Sequence, residues 1–152
     1  MIRLHADTLQ LSQGRLLKVV SDLMNKHFVF IYGSLRRGSE GSMSTRFPNS
    51  RFIAEAKVNG NLYDLGPYPG LRLEESNSLV TGEIYEVDGD LLNELDEFEA
   101  SSNYVRKQVE LSFAGQKRNG WTYEPDPDFY RFEKLITSGD WIEYSRIKKI
   151  EQ

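Results

Sequence analysis

The sequence predicts an α+β fold: a compact, mixed, mostly antiparallel β-barrel with a few short helices. Two observations carry this. β-prone runs dominate the chain, and several alternate between two faces, as over 79–87 and 104–113. Only one or two short helical patterns interrupt them, so the regular strand–helix alternation of a parallel sheet is missing.

The elements follow in order. Residues 1–27 stand apart as an N-terminal extension, and 28–152 is expected to be one domain. Within the extension, Ser12 can cap a short helix whose Leu16, Leu17, Val20, Leu23 and Met24 share one face. Equally, Met24 can mark the start of the natural chain, and both readings stay open. Phe28-Val29-Phe30-Ile31-Tyr32 is apolar and β-prone, which suits a buried central strand ending at Gly33. Residues 36–49, rich in Gly, Ser and Arg, read as loop with a single helical turn.

Strand character from Phe52 to Leu65 breaks at Asn59-Gly60, a dipeptide typical of hairpins. Gly66-Pro67-Tyr68-Pro69-Gly70 is a turn cluster. After the strand at 79–87, Asp88 or Asp90 can cap a helix through Leu91, Leu92, Leu95 and Phe98. A strand then runs from Tyr104 to Phe113, Gly115 begins a turn, and Gly120-Trp121-Thr122-Tyr123 resumes the strand. Asp140 in Ser138-Gly139-Asp140-Trp141 reads as a turn or cap residue, ahead of a basic, partly amphipathic tail.

Composition excludes several chemistries. The chain has 152 residues, enough for one substantial core. It contains no cysteine, which removes disulfides, thiolate nucleophiles and thiolate metal sites. Its two histidines, His5 and His27, cannot by themselves build a multi-imidazole metal site. We therefore expect no metal and no cofactor, with acid–base work left to carboxylates and tyrosines. The net charge of −4 is dispersed, so no nucleic-acid or membrane partner is expected. No apolar run reaches the ~18 residues of a spanning helix, no secretory signal is evident, and a cytoplasmic location is expected.

Two features carry candidate chemistry. Where the chain leaves a buried strand through Gly33, the amides of Tyr32-Gly33-Ser34-Leu35 can converge on an anion or a carbonyl oxygen, with Arg36 and Arg37 adding charge nearby. An ordinary strand-end turn is the competing reading. In the helix, Leu92, Leu95 and Glu99 fall at i, i+3 and i+7, which puts one carboxyl on the leucine stripe. Apolar surroundings and a helix C-terminus both raise a carboxyl pKa, as a proton shuttle near neutrality requires. Alternatively the helix ends at Phe98 and Glu99 points into water. Tyr63, Tyr68, Tyr104 and Tyr123 can line a pocket or simply serve the core.

The ordered set is more specific than any member. Phe-Val-Phe-Ile-Tyr-Gly-Ser-Leu-Arg-Arg-Gly (28–38) precedes Gly-Asn-Leu-Tyr-Asp-Leu-Gly-Pro-Tyr-Pro-Gly (60–70). Val-Thr-Gly-Glu-Ile-Tyr-Glu-Val-Asp (80–88), Leu-Asp-Glu-Phe-Glu (95–99), Tyr-Val-Arg (104–106) and Ser-Gly-Asp-Trp (138–141) follow. Over about 28–142 this resembles the gamma-glutamylcyclotransferase-like superfamily, especially small bacterial members and the gamma-glutamylamine cyclotransferases. The resemblance implies a mixed barrel with a cavity beside the Tyr-Gly-Ser-Leu loop. It also implies cyclisation of a small gamma-glutamyl substrate to 5-oxoproline, with release of an amine or amino acid. The family's essential glutamate falls on Glu99, its substrate-cradling loop on Tyr32, Gly33, Ser34 and Leu35, and pocket positions on Tyr104 and Tyr123. The pattern departs at Glu40-Gly41-Ser42, where relatives commonly carry Asn, and at Ala100, where many carry Gly. A non-catalytic small-ligand or peptide receptor on the same fold is the alternative. Oligomeric state is not legible.

Overall fold

The apolar run 28–31 forms most of β1 (Lys26–Ile31), the middle strand of a five-stranded sheet. The computed structural model describes residues 25–151, so the Ser12 helix pattern and Met24 lie outside the described residues. Strand order is β2-β5-β1-β7-β6, with β2 spanning Arg51–Asn59, β5 Leu79–Asp88, β6 Tyr104–Phe113 and β7 Gln116–Pro125. The β2–β5, β5–β1 and β7–β6 pairs are antiparallel, while β1 and β7 run parallel at Val29 and Trp121. The Thr122 hydroxyl strengthens that junction by donating to the Phe30 carbonyl at 2.9 Å. The sheet curls until β2 and β6 approach each other, but no ladder joins these two edges. It is therefore a mixed sheet rolled toward a barrel and left unclosed.

Because β1 is central, it is buried on both faces. Val29 and Ile31 pack with Tyr85, Val87, Leu91, Leu92 and Leu95, whereas Phe30 and Tyr32 pack with Val58, Leu62, Leu71, Val80 and Ile84.

Three elements differ from the sequence expectation. Asn59-Gly60 does not close a hairpin between β2 and the next strand. It is the corner where the chain leaves the large sheet and enters a two-stranded one, formed by β3 (Asn61–Asp64) and β4 (Pro69–Arg72). Hydrogen bonds from β2 go instead to β5, and Asn59 exchanges bonds with Ser76. Pro69 and Gly70 belong to β4 rather than to the turn; proline is tolerated as the first residue of a strand, where its missing N–H breaks no ladder. Finally, β7 starts at Gln116, four residues before Gly120, because Ala114 and Gly115 both take positive φ (52° and 72°) and make a tight hairpin from β6.

The helical turn within 36–49 and the helix after Asp88 sit where expected. The single turn α1 is Met43–Arg46, and α2 spans Gly89–Ala100. Asp88 caps α2 by accepting the Leu91 N–H at 2.8 Å, and Leu91, Leu92 and Leu95 are its buried residues. The C-terminal α3 (Trp141–Glu151) begins at Asp140, whose carboxylate accepts the Glu143 N–H at 3.2 Å.

Candidate active site

A cavity of about 320 Å³ opens between the loop after β1, the last turn of α2 and the start of β4. Its wall contains the seven residues on which the family resemblance places the site, Tyr32, Gly33, Ser34, Leu35, Glu99, Tyr104 and Tyr123, and the further pocket candidate Tyr68. Positions 91 apart in the chain converge because β1 and β7 are sheet neighbours and α2 packs across them.

Glu99 occupies the last turn of α2, one residue before its end, so the helix does carry it toward the interior. The residue is half-buried and lines the cavity. Among the described residues, no hydroxyl, amide or cation donates a hydrogen bond to its carboxylate. Loss of hydration without compensating donors raises its pKa to about 7. The negative end of α2 acts in the same direction, and the last turn contains no basic residue.

The tyrosines supply neutral hydroxyls. Tyr32 donates to the Tyr123 carbonyl at 2.6 Å, Tyr123 to the Asp96 carboxylate at 2.7 Å, and Tyr104 to the Pro69 carbonyl. Burial is the main cause pushing all three phenols above their ordinary range, so they keep their protons at any physiological pH. None is poised to serve as a phenolate base. Their hydroxyl protons are already committed to protein acceptors. Asp96 is further tied to Arg106 at 3.4 Å.

Gly33 does not adopt a positive φ. Glycine is favoured there by a close approach, since a Cβ would lie 3.0 Å from Pro69 Cγ and 3.5 Å from Pro69 Cδ. The Gly33 carbonyl accepts the Arg36 N–H at 3.1 Å and the Leu35 carbonyl accepts the Met43 N–H at 2.8 Å. No described residue accepts from the amides of Gly33, Ser34 or Leu35, so these N–H groups remain available at the cavity wall.

Arg36 and Arg37 do not line the cavity. The Arg36 guanidinium reaches Asp140 at 2.8 Å and Glu83 at 3.7 Å, while Arg37 lies over the Phe52 ring and pairs with Glu55. Basic charge comes instead from Arg46, joined at the wall by Glu40, Tyr68, Phe98, Ser101 and Ser102. Sequence reasoning passed over Arg46 because it sits in a polar loop region without periodicity. Tyr63, a further candidate, packs edge-on against Phe132 outside this cavity.

The chain is similar to known proteins in sequence and in fold. A family model described as "Gamma-glutamyl cyclotransferase, AIG2-like" matches residues 29–143. A Vibrio cholerae protein with a provisional gamma-glutamylcyclotransferase name is 38% identical over 121 residues, covering 78% of this chain and 97% of its own. The gamma-L-glutamyl-butirosin B gamma-glutamyl cyclotransferase of Niallia circulans is 33% identical over 124 residues, covering 76% of each chain. Among solved structures, an AIG2-like protein from Mus musculus superposes with a TM-score of 0.59 at 25% identity, over 74% of this chain and 88% of that one. Matched by that family model over residues 29–143 and by relatives at 38% and 33% identity, the chain belongs to the gamma-glutamyl cyclotransferase, AIG2-like family.

Proposed function

We propose that the chain converts a gamma-glutamyl amide to 5-oxoproline and a free amine or amino acid, in the cytoplasm, with Glu99 as the proton shuttle. One observation carries the reading: a carboxyl raised to a pKa of about 7, with no donor among the described residues, borders a cavity that is also lined by a loop whose main-chain N–H groups have no acceptor among the described residues.

The substrate supplies its own nucleophile, so the absence of cysteine from the chain is no obstacle. Glu99 as carboxylate takes a proton from the substrate α-ammonium. The freed amine lone pair then attacks the γ-carbonyl carbon, forming the ring C–N bond and a tetrahedral oxyanion. Collapse breaks the original C–N bond as Glu99 returns its proton to the departing amine. The Glu99 carboxylate then takes the second proton from the ring nitrogen, leaving a neutral lactam, and passes it to the freed amine, which departs as an ammonium. Holding amine and carbonyl together in one molecule can contribute on the order of 7–11 kcal/mol over a bimolecular reaction. The Gly33, Ser34 and Leu35 amides serve either the substrate carboxylate or the oxyanion. Tyr32, Tyr104 and Tyr123 shape the cavity as hydrogen-bonded walls.

A panel of gamma-glutamyl compounds read by mass spectrometry tests the reading. Lactam plus free amine is the expected product, and Glu99→Gln should lose it by at least about a hundredfold. Open-chain glutamate would identify a hydrolase instead. Ligand retention with no turnover, indifferent to Glu99→Gln, would favour a receptor.

A further inference from the structure

The cavity has a buried end and an open one. Phe30, Ile31 and Tyr32 are buried at its floor, whereas Glu40, Arg46, Tyr68 and Phe98 are exposed at its rim. A gamma-glutamyl group that closes into a lactam must turn its amine toward Glu99, and with its glutamyl half seated beside the loop amides the other half of the substrate leaves across the rim. Side chains at the rim therefore meet the leaving group.

Arg46 is the cation among the residues lining the cavity. Its guanidinium carbon lies 5.4 Å from the centre of the Phe98 ring, which itself stacks edge-on against Phe47. On its other side the guanidinium fills the space left by Gly41, where a Cβ would come within 2.6 Å of Nε. Packing thus holds the group in place. Yet no carboxylate among the described residues comes within ion-pair distance of it. Glu40, the other charged rim residue, makes no hydrogen bond or ion pair with a described residue and has no comparable packing. A pre-positioned, solvent-open guanidinium with free donors favours a planar anion over a cation.

We infer that Arg46 is a specificity residue that binds a carboxylate on the leaving group, so that the preferred substrates release an anionic amine rather than a polyamine. This rests on the cyclotransferase reading for where the leaving group lies, but its test is a binding measurement independent of turnover. γ-Glutamylglycine and its C-terminal amide differ by one carboxylate. Titrated calorimetrically into the Glu99→Gln protein, the free acid should bind about three- to tenfold more tightly than the amide. In Glu99→Gln/Arg46→Met the two ligands should become equal, and Arg46→Lys should restore part of the difference.

Equal binding of acid and amide without the Arg46 change overturns the inference, as does failure of both to bind. An equal loss for both ligands in Arg46→Met also overturns it, because the guanidinium would then be holding the glutamyl half. Lactam release by the wild-type protein is scored separately. Charge discrimination without lactam keeps the Arg46 assignment and removes the cyclisation.

Discussion

The carboxylate of Glu83 accepts the main-chain N–H of Arg37 with both oxygens, at 3.0 and 3.3 Å, from the middle of strand β5. Glu83 is only 3% exposed, which is rare for a charge and indicates full engagement. It also accepts the Tyr85 hydroxyl at 2.8 Å and faces the Arg36 guanidinium at 3.7 Å, which in turn reaches Asp140 at the start of α3. The loop carrying the cavity amides is thus anchored from behind by a buried acid that never touches the cavity.

Removing that anchor should disturb loop and fold together. Glu83→Leu leaves the Arg37 N–H and Tyr85 hydroxyl without their acceptor and Arg36 with half its counter-charge. The expected loss is about 3 kcal/mol in denaturant melts. Glu83→Gln keeps one acceptor oxygen and should lose less. In both, kcat/KM for lactam release should drop while the pH midpoint set at Glu99 stays in place. Wild-type stability in the leucine variant would remove the anchor role.

Activity and stability should respond oppositely to pH through Glu99. As the proposed base it works when ionised, so kcat/KM should rise with pH and level off above about 7. Its folded pKa lies above the unfolded value, so the native state binds more protons across the window from about 4.5 to 7. Stability from this group is therefore present below that window and lost as pH rises through it. Glu99→Gln should accordingly melt higher than wild type at pH 8, with the gap closing toward pH 4. A variant that melts lower at pH 8 would contradict burial as the source of the shift.

Gly33→Ala tests the close approach to Pro69 that glycine permits at position 33. The added methyl meets Pro69 Cγ at 3.0 Å, and Pro69 also supplies the carbonyl that Tyr104 holds. Either the loop or the head of β4 must give, at a cost of about 1–2 kcal/mol. Turnover should fall by more than stability alone explains, measured well below the melting temperature. Unchanged rates would mean the loop position is not critical.

Leu95→Ala probes how Glu99 is presented. Leu95 is fully buried one turn before Glu99 in α2 and anchors the helix on the sheet. Truncation should cost about 2–5 kcal/mol. It should also lower the Glu99-dependent pH midpoint, because a looser helix end admits water to the carboxyl.

Residues close in sequence fixed much of this protein without help. Heptad-like spacing of Leu92, Leu95 and Glu99, the Asp88 cap and the two-faced apolar run at 28–31 are local patterns, and the chain adopts them. Tertiary structure decided what such patterns do not contain: the parallel seam of β1 with β7, the reason for glycine at 33, the withdrawal of Arg36 to Asp140, and the arrival of Arg46 at the cavity. Main-chain periodicity records which way a residue faces. Where a long cation goes, or which carbonyl a phenol finds, depends on partners brought close only when distant strands pair, so a single sequence carries no local trace of it.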